Sequence, residues 1–268
     1  MATIVNLNTE AIHKYVFELR YDFGQLYWDR SGRVAKQILN EFDDWDFDSV
    51  DGGRCQLSNR EQNVAFNFGP ERLDLSQSQN ADVDSLMDVG EFAKFAEDAT
   101  ARVIESLELE FFSRIGFRVL HLYPASDREN AEQLVGKLKL FQIDRDMSDV
   151  IRAPTEMSFR IVTERDKNML RIAVSPFEQN IPLSPRILLA AKTEARQLSR
   201  NQRRARIDQL KAKKKIEHYP QFGVLLDLDA YLEEPPVPTD LSISEFILEA
   251  YADFSAVKSE VLASCSDG

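Results

Sequence analysis

Residues 15–23 read YVFELRYDF, with Tyr15, Phe17, Leu19, Tyr21 and Phe23 on one parity and Glu18, Arg20 and Asp22 on the other. A period of two predicts a half-buried strand with one face turned to a core. Val34, Ile38 and Phe42 then recur every four residues and predict a short helix over 29–42. The runs NVAFNF and ERLDLS flank Gly69-Pro70, which supplies turn geometry for a tight hairpin. Phe92, Phe95, Ala96, Ala99, Val103 and Leu107 form one stripe of a helix expected from about 90 to 110, and RIGFRVLHLY at 114–123 reads as a strand.

The second half continues in the same style. A helix near 128–140 leads to MSFRIVTERDKNMLRIAV, a hairpin turning at 166–168, and later to the strand FGVLLDLD and the loop EEPPVPT. The last helix puts Phe246, Ile247, Ala250, Tyr251, Phe254, Val257 and Val261 on one face, and Ser242 with Glu245 offers a capping box at its start. Leu73-Asp74-Leu75 stands 17 residues before Glu91-Phe92, counted from aspartate to glutamate, and Leu226-Asp227-Leu228 stands 18 before Glu245-Phe246. The recurrence suggests internal duplication. The expected fold is therefore α+β: antiparallel sheet from two similar halves, 1–124 and 125–268, each covered by a long amphipathic helix, or one continuous domain with the same content.

YVFELRYDF near the start, RIGFRVLHLYP in the middle and GVLLDLD near the end resemble landmarks of a sporadically distributed, functionally uncharacterised prokaryotic family of about this length. Members tend to carry an Arg-Tyr pair after the RIG motif, where this sequence has Arg118-Val119. The resemblance implies a mixed α+β fold and a patchy, horizontally transferred distribution. With that distribution goes an accessory role in a mobile module, such as antiviral defence or toxin neutralisation. It transfers no catalytic residue.

Composition narrows the class further. With 268 residues, 43% hydrophobic and 29% charged, the chain has the make-up of an ordinary globular protein. The first residues, MATIVNLNTEAIHKYVFELRYDF, lack the basic and apolar regions of a signal peptide, and no run approaches the roughly 18 apolar residues of a membrane span. Cys55 and Cys265 lie far apart without metal-ligand spacing, so reduced thiols and a cytoplasmic location are expected.

Charge is unevenly distributed. The net charge is −12, yet residues 192–215 hold ten basic and two acidic side chains. Drawn as a helix, Lys192, Arg196, Arg200, Arg203, Arg204, Lys211 and Lys214 fall within about 120°, bordered by Arg206, Lys213 and Lys215. Three uses fit such a stripe: a solvated face neutralised by the acidic body, contact with a nucleic-acid backbone by counterion release, or a docking arm. The arm would take an acidic protein partner or a second copy, giving a homodimer.

Other candidates for chemistry are sparse. Asp227 and Asp229 alternate along a strand and face the same way, as metal ligands or an acid/base pair must, or else they decorate the solvent side of an edge strand. The run from Glu41 to Asp51 fails the calcium-loop template, with Ser49 at the glycine position and Cys55 at the twelfth. It reads as a solvated connection whose Phe42, Trp45 and Phe47 fold inward or meet a partner. His13, His121 and His218 are isolated, and His121 falls on a core-facing parity. No GxSxG elbow or phosphate-binding glycine loop is present. The expectation is a non-enzymatic binding or accessory protein without cofactor, resident metal or catalytic residue; the alternative is a metal-dependent enzyme acting on nucleotides or nucleic acid through Asp227 and Asp229.

Overall fold

The computed structural model describes residues 11–42, 44–79, 86–137, 158–165, 167–178, 220–236 and 241–266. The basic segment 192–215 and His218 lie outside the described residues, as do the side chains of His13 and Cys265.

The alternation at the start becomes β1 (Ala11–Tyr21), which buries Tyr15, Phe17, Leu19 and Tyr21 and turns Lys14, Val16, Glu18 and Arg20 the other way. It is followed by α1 (Tyr27–Glu41), β2 (Asp46–Val50), β3 (Cys55–Asn59), β4 (Val64–Phe68), β5 (Arg72–Ser78) and α2 (Val89–Leu107). Then come β6 (Phe112–Ala125), α3 (Arg128–Lys137), β7 (Phe159–Arg165), β8 (Asn168–Glu178), β9 (Phe222–Glu233) and α4 (Ile243–Ser266). The strands form one antiparallel sheet in the order β2-β3-β4-β5-β1-β6-β9-β8-β7. It runs unbroken across residue 124, because β6 pairs with β1 on one side and β9 on the other.

Helix ends are set by short polar side chains. Asp88 accepts from the Gly90 amide at 2.8 Å to start α2, and Asp127 accepts from the Asn130 amide at 2.8 Å to start α3. The Ser242 hydroxyl accepts from the Glu245 amide at 3.3 Å, as its spacing predicts for α4. Ser244 donates to Glu97 at 2.7 Å, which ties the beginning of α4 to α2.

The core takes alternate residues from the contributing strands, and its cluster joins them with buried residues of α1, α2, α3 and α4. At its centre Phe117 lies 5.9 Å from Tyr15, 6.0 Å from Phe92 and 5.8 Å from Phe254, ring centre to ring centre. Tyr27 and Cys55 belong to the same cluster. Burial pushes the Cys55 thiol up to about 12, and burial, helped by Cys55 and Asp51, pushes the Tyr27 phenol up to about 12. Both groups hold their protons in the folded state at pH values where the unfolded chain, titrating near 9 and 10, releases them. Stability should therefore be level below about pH 9 and fall from there towards pH 12. Denaturant midpoints at pH 8, 9 and 10.5 check the sign, and Cys55→Ala should flatten the fall.

Two expectations are corrected by the topology. The acidic run is not a plain loop: Asp46–Val50 forms the edge strand β2, with a register shift against β3 between Phe47 and Ser49 and all five residues exposed. Acidic side chains and a bulge suit an edge, where they discourage pairing with another chain. Conversely β9, with Asp227 and Asp229, is no edge strand, since it lies between β6 and β8.

Candidate functional site

The parity that buries Phe117 in β6 turns Arg114 and Arg118 to the opposite face of the sheet, and the same alternation delivers Asp227, Asp229 and Tyr231 from β9, Arg171 from β8 and Glu18 and Arg20 from β1. Register joins them. Arg118 stands opposite Asp229, which stands opposite Arg171, and Glu18 stands opposite Gly116. The missing side chain at Gly116 leaves room for the Arg114 guanidinium, which would lie 3.1 Å from a Cβ there.

The resulting lattice is dense. Arg118 donates Nε and Nη2 to the two oxygens of Asp227, both at 2.6 Å, a fork-to-fork pair. Arg171 Nη2 is 2.9 Å from Asp229 and 3.9 Å from Asp227. Arg114 reaches Glu18 at 2.6 Å and Asp229 at 3.5 Å while its guanidinium sits 4.7 Å from the centre of the Tyr231 ring. Burial raises the carboxyl of Asp229 above its ordinary value, against the opposing pull of Arg171, Arg114 and Arg118. The hydrogen bond to Asp227 raises the Arg118 guanidinium, so that group stays charged. Asp227 and Asp229 do face one way, but guanidinium groups occupy the positions a cation would take. Among the described residues no group of three His, Cys, Asp or Glu side chains is placed to hold a metal ion.

One end of this face is not self-satisfied. Arg20 of β1 stands directly opposite Arg72 of β5, a like-charge cross-strand pair that opposes folding unless something compensates it. Arg20 leans on Glu18 at 2.8 Å; Arg72 makes no ion pair with a described carboxylate. Together with Arg54 they line a cleft of ≈ 630 Å³ shared with Asn67, Asp74, Asp51, Gly53 and residues 68–71, Glu71 among them. That volume is within the range of small-molecule sites. Asn67 is 8% exposed; its amide nitrogen donates to Asp74 at 2.7 Å, while its carbonyl oxygen is buried with no donor. Two of the three lining acids are engaged, Asp74 by Asn67 and Asp51 by the amides of Gly53 and Arg54, both at 2.8 Å, while Glu71 lies at the exposed rim.

Loops at this end are pinned from below. The Tyr21 hydroxyl donates to the Gly69 carbonyl, Tyr27 to that of Asp51 at 2.7 Å and Trp28 to that of Gly52 at 2.8 Å. The same end carries exposed aromatics: Phe23 is 73% exposed, Trp28 59% and Phe111 57%. Phe23 and Phe111 meet edge to face at 6.4 Å, and Phe23 has φ 62, a left-handed conformation unusual for a bulky side chain.

Of the residues singled out in the sequence, Phe42 and Trp45 close on Phe95 of α2, at 4.8 and 4.9 Å, leaving Phe47 exposed. His121 is buried at 3% exposure. Arg196, Arg200, Arg203, Arg204, Arg206, Lys211, Lys213, Lys214 and Lys215 lie outside the described residues. The guanidinium groups of the polar face and Asn67 were missed, because strand register brings them together and spacing along the chain does not. No protein-family model matches this chain, and no curated protein does. No described helix is long and apolar enough to cross a membrane.

Proposed function

We propose that this chain is a non-enzymatic binding protein that takes a nucleotide unit, free or within a single strand, at the Arg20–Arg54–Arg72 end of its polar face. The observation that carries the reading is the opposed Arg20–Arg72 pair beside a buried, donorless Asn67 carbonyl oxygen. A phosphate compensates guanidinium groups with charge-assisted hydrogen bonds, and a sugar hydroxyl or base amine supplies the donor that Asn67 lacks. Exposed Phe23, Phe111 and Trp28 offer rings on which a base can stack. The metal-dependent alternative through Asp227 and Asp229 has less support, since Arg118 holds both oxygens of Asp227.

The same reading includes duplication. The element order β1-α1-β2-β3-β4-β5-α2 is followed by β6-α3-β7-β8-β9-α4, and the sheet order mirrors about the β1–β6 seam apart from the edge strand β2, which has no counterpart. Leu73-Asp74-Leu75 on β5 and Leu226-Asp227-Leu228 on β9 then occupy matching places beside β1 and β6. On this proposal the halves divide between Leu107 and Phe112 rather than at 124, with one long helix per half over the shared apolar face. The basic segment lies outside the described residues, between β8 and β9 along the chain, and is a separate candidate for backbone contact. An accessory role in a mobile module rests on the family resemblance alone.

Calorimetric titration with a nucleoside monophosphate, a short single-stranded oligonucleotide and inorganic phosphate tests the site. Arg72→Gln should weaken all three about tenfold or more, the worth of one charged hydrogen bond. Phe111→Ala should weaken the two base-bearing ligands and spare phosphate. Absence of heat with every ligand at millimolar concentration sinks the proposal. Glutamine at Arg196, Arg200, Arg203, Arg204, Lys211 and Lys214 should leave these titrations unchanged while lowering any salt-sensitive retention of longer strands.

A further inference from the structure

We infer that β7 pairs with β7 of a second copy of this chain, joining two nine-stranded sheets edge to edge. The sheet ends in two different ways. β2 is short, acidic and bulged, the usual defences of an edge. β7 has none of that irregularity: all seven residues from Phe159 to Arg165 register with β8 without a shift, and the five from Arg160 to Glu164 are exposed. Ile161 and Val162, on opposite faces, are 40% and 46% exposed.

The backbone selects the parity of any partner. In an antiparallel hairpin closed by two residues, the closing pair exchanges hydrogen bonds and the pairs alternate from there. Counted from Arg165·Asn168, residues 161 and 163 spend their amides and carbonyls on β8, while those of Arg160, Val162 and Glu164 point outward. A second β7 running antiparallel and centred on Val162 brings outward groups against outward groups along the whole strand.

Side chains then select the register. With Val162 opposite its own copy, Arg160 falls opposite Glu164 of the second copy, Glu164 opposite Arg160, and Ile161 opposite Thr163 on the other face. Both charged pairs are complementary and flank an apolar pair. A slip of one residue sets outward groups against inward ones, and a slip of two puts Val162 opposite a charge. The strand is thus self-complementary about one two-fold axis, as an isologous contact requires. A one-strand edge is a small interface, so association should be weak and concentration-dependent.

Sedimentation of the full chain from about 1 µM to 1 mM, the affinity range of weak pairing, decides the matter. The parent should pass from monomer to dimer. Arg160→Glu and Glu164→Arg each replace two attractive cross-strand pairs with two repulsive ones, and each variant alone should dimerise at least about tenfold less well. Mixed in equal amounts, the two variants restore both attractive pairs and should form a heterodimer. An unfolded variant cannot produce that rescue. A parent that stays monomeric throughout overturns the inference, as does a dimer that survives both variants or one abolished by glutamine at the six basic positions of 192–215.

Discussion

Alanine at position 117 should lower the free energy of unfolding by about 3–5 kcal/mol, the usual loss for a buried aromatic side chain. Phe117 has no exposed surface and lies where β6 meets both long helices, against Tyr15, Phe92 and Phe254. None of those rings can follow it inward without leaving its own neighbours, because each is fixed on a different element. The space left by the ring would remain largely empty. Phe117→Leu, which keeps much of the volume, should lose less than half as much. Urea denaturation of the three proteins gives the comparison; a loss below about 1 kcal/mol for alanine would mean that the centre of the sheet is not packed as described.

The second large effect should come from the polar face. Asp227→Leu removes the acceptor for both bonds from Arg118 and brings no replacement. Breaking a buried pair from one side typically costs 3–5 kcal/mol; the Arg118 side chain is 40% exposed and can turn to water, which reduces the expected loss to about 2–3 kcal/mol. Arg118→Met alone leaves Asp227 buried beside Arg171 only and should also destabilise. The double variant, with two apolar side chains of suitable shape, should recover most of the loss. Additive losses would show that the two side chains stabilise the sheet separately.

Elements whose information is local could be read directly from the chain. Tyr15, Phe17, Leu19 and Tyr21 announced β1, Gly69-Pro70 announced the β4–β5 hairpin, and Ser242 marked the start of α4. The acidic run was misread because Asp46 and Asp48 look like loop residues and the shift after Phe47 interrupts the alternation; only the position at the edge makes that composition suitable for a strand. Asp227 and Asp229 were correctly given one face, yet of their partners Arg118 lies 109 residues from Asp227 along the chain and Arg114 lies 115 from Asp229. Likewise Arg20 and Arg72 are neighbours only because β5 returns beside β1. A site assembled by register between distant strands leaves no spacing pattern to find.

The seam between β1 and β6 also sets an order of events when the chain is made. β1 leaves the ribosome first, gains β5 on one side once Arg72–Ser78 has been synthesised, and has no strand on its other side until Phe112–Ala125 follows. Over that interval one edge of β1 stays unpaired beside Phe17 and Leu19, which are fully buried in the finished fold. Pairings that must wait for distant sequence are slow to form and leave sticky intermediates. Fragments ending after α2 should therefore self-associate, and refolding of the whole chain should be limited by closure of the seam, with the outer hairpins already in place.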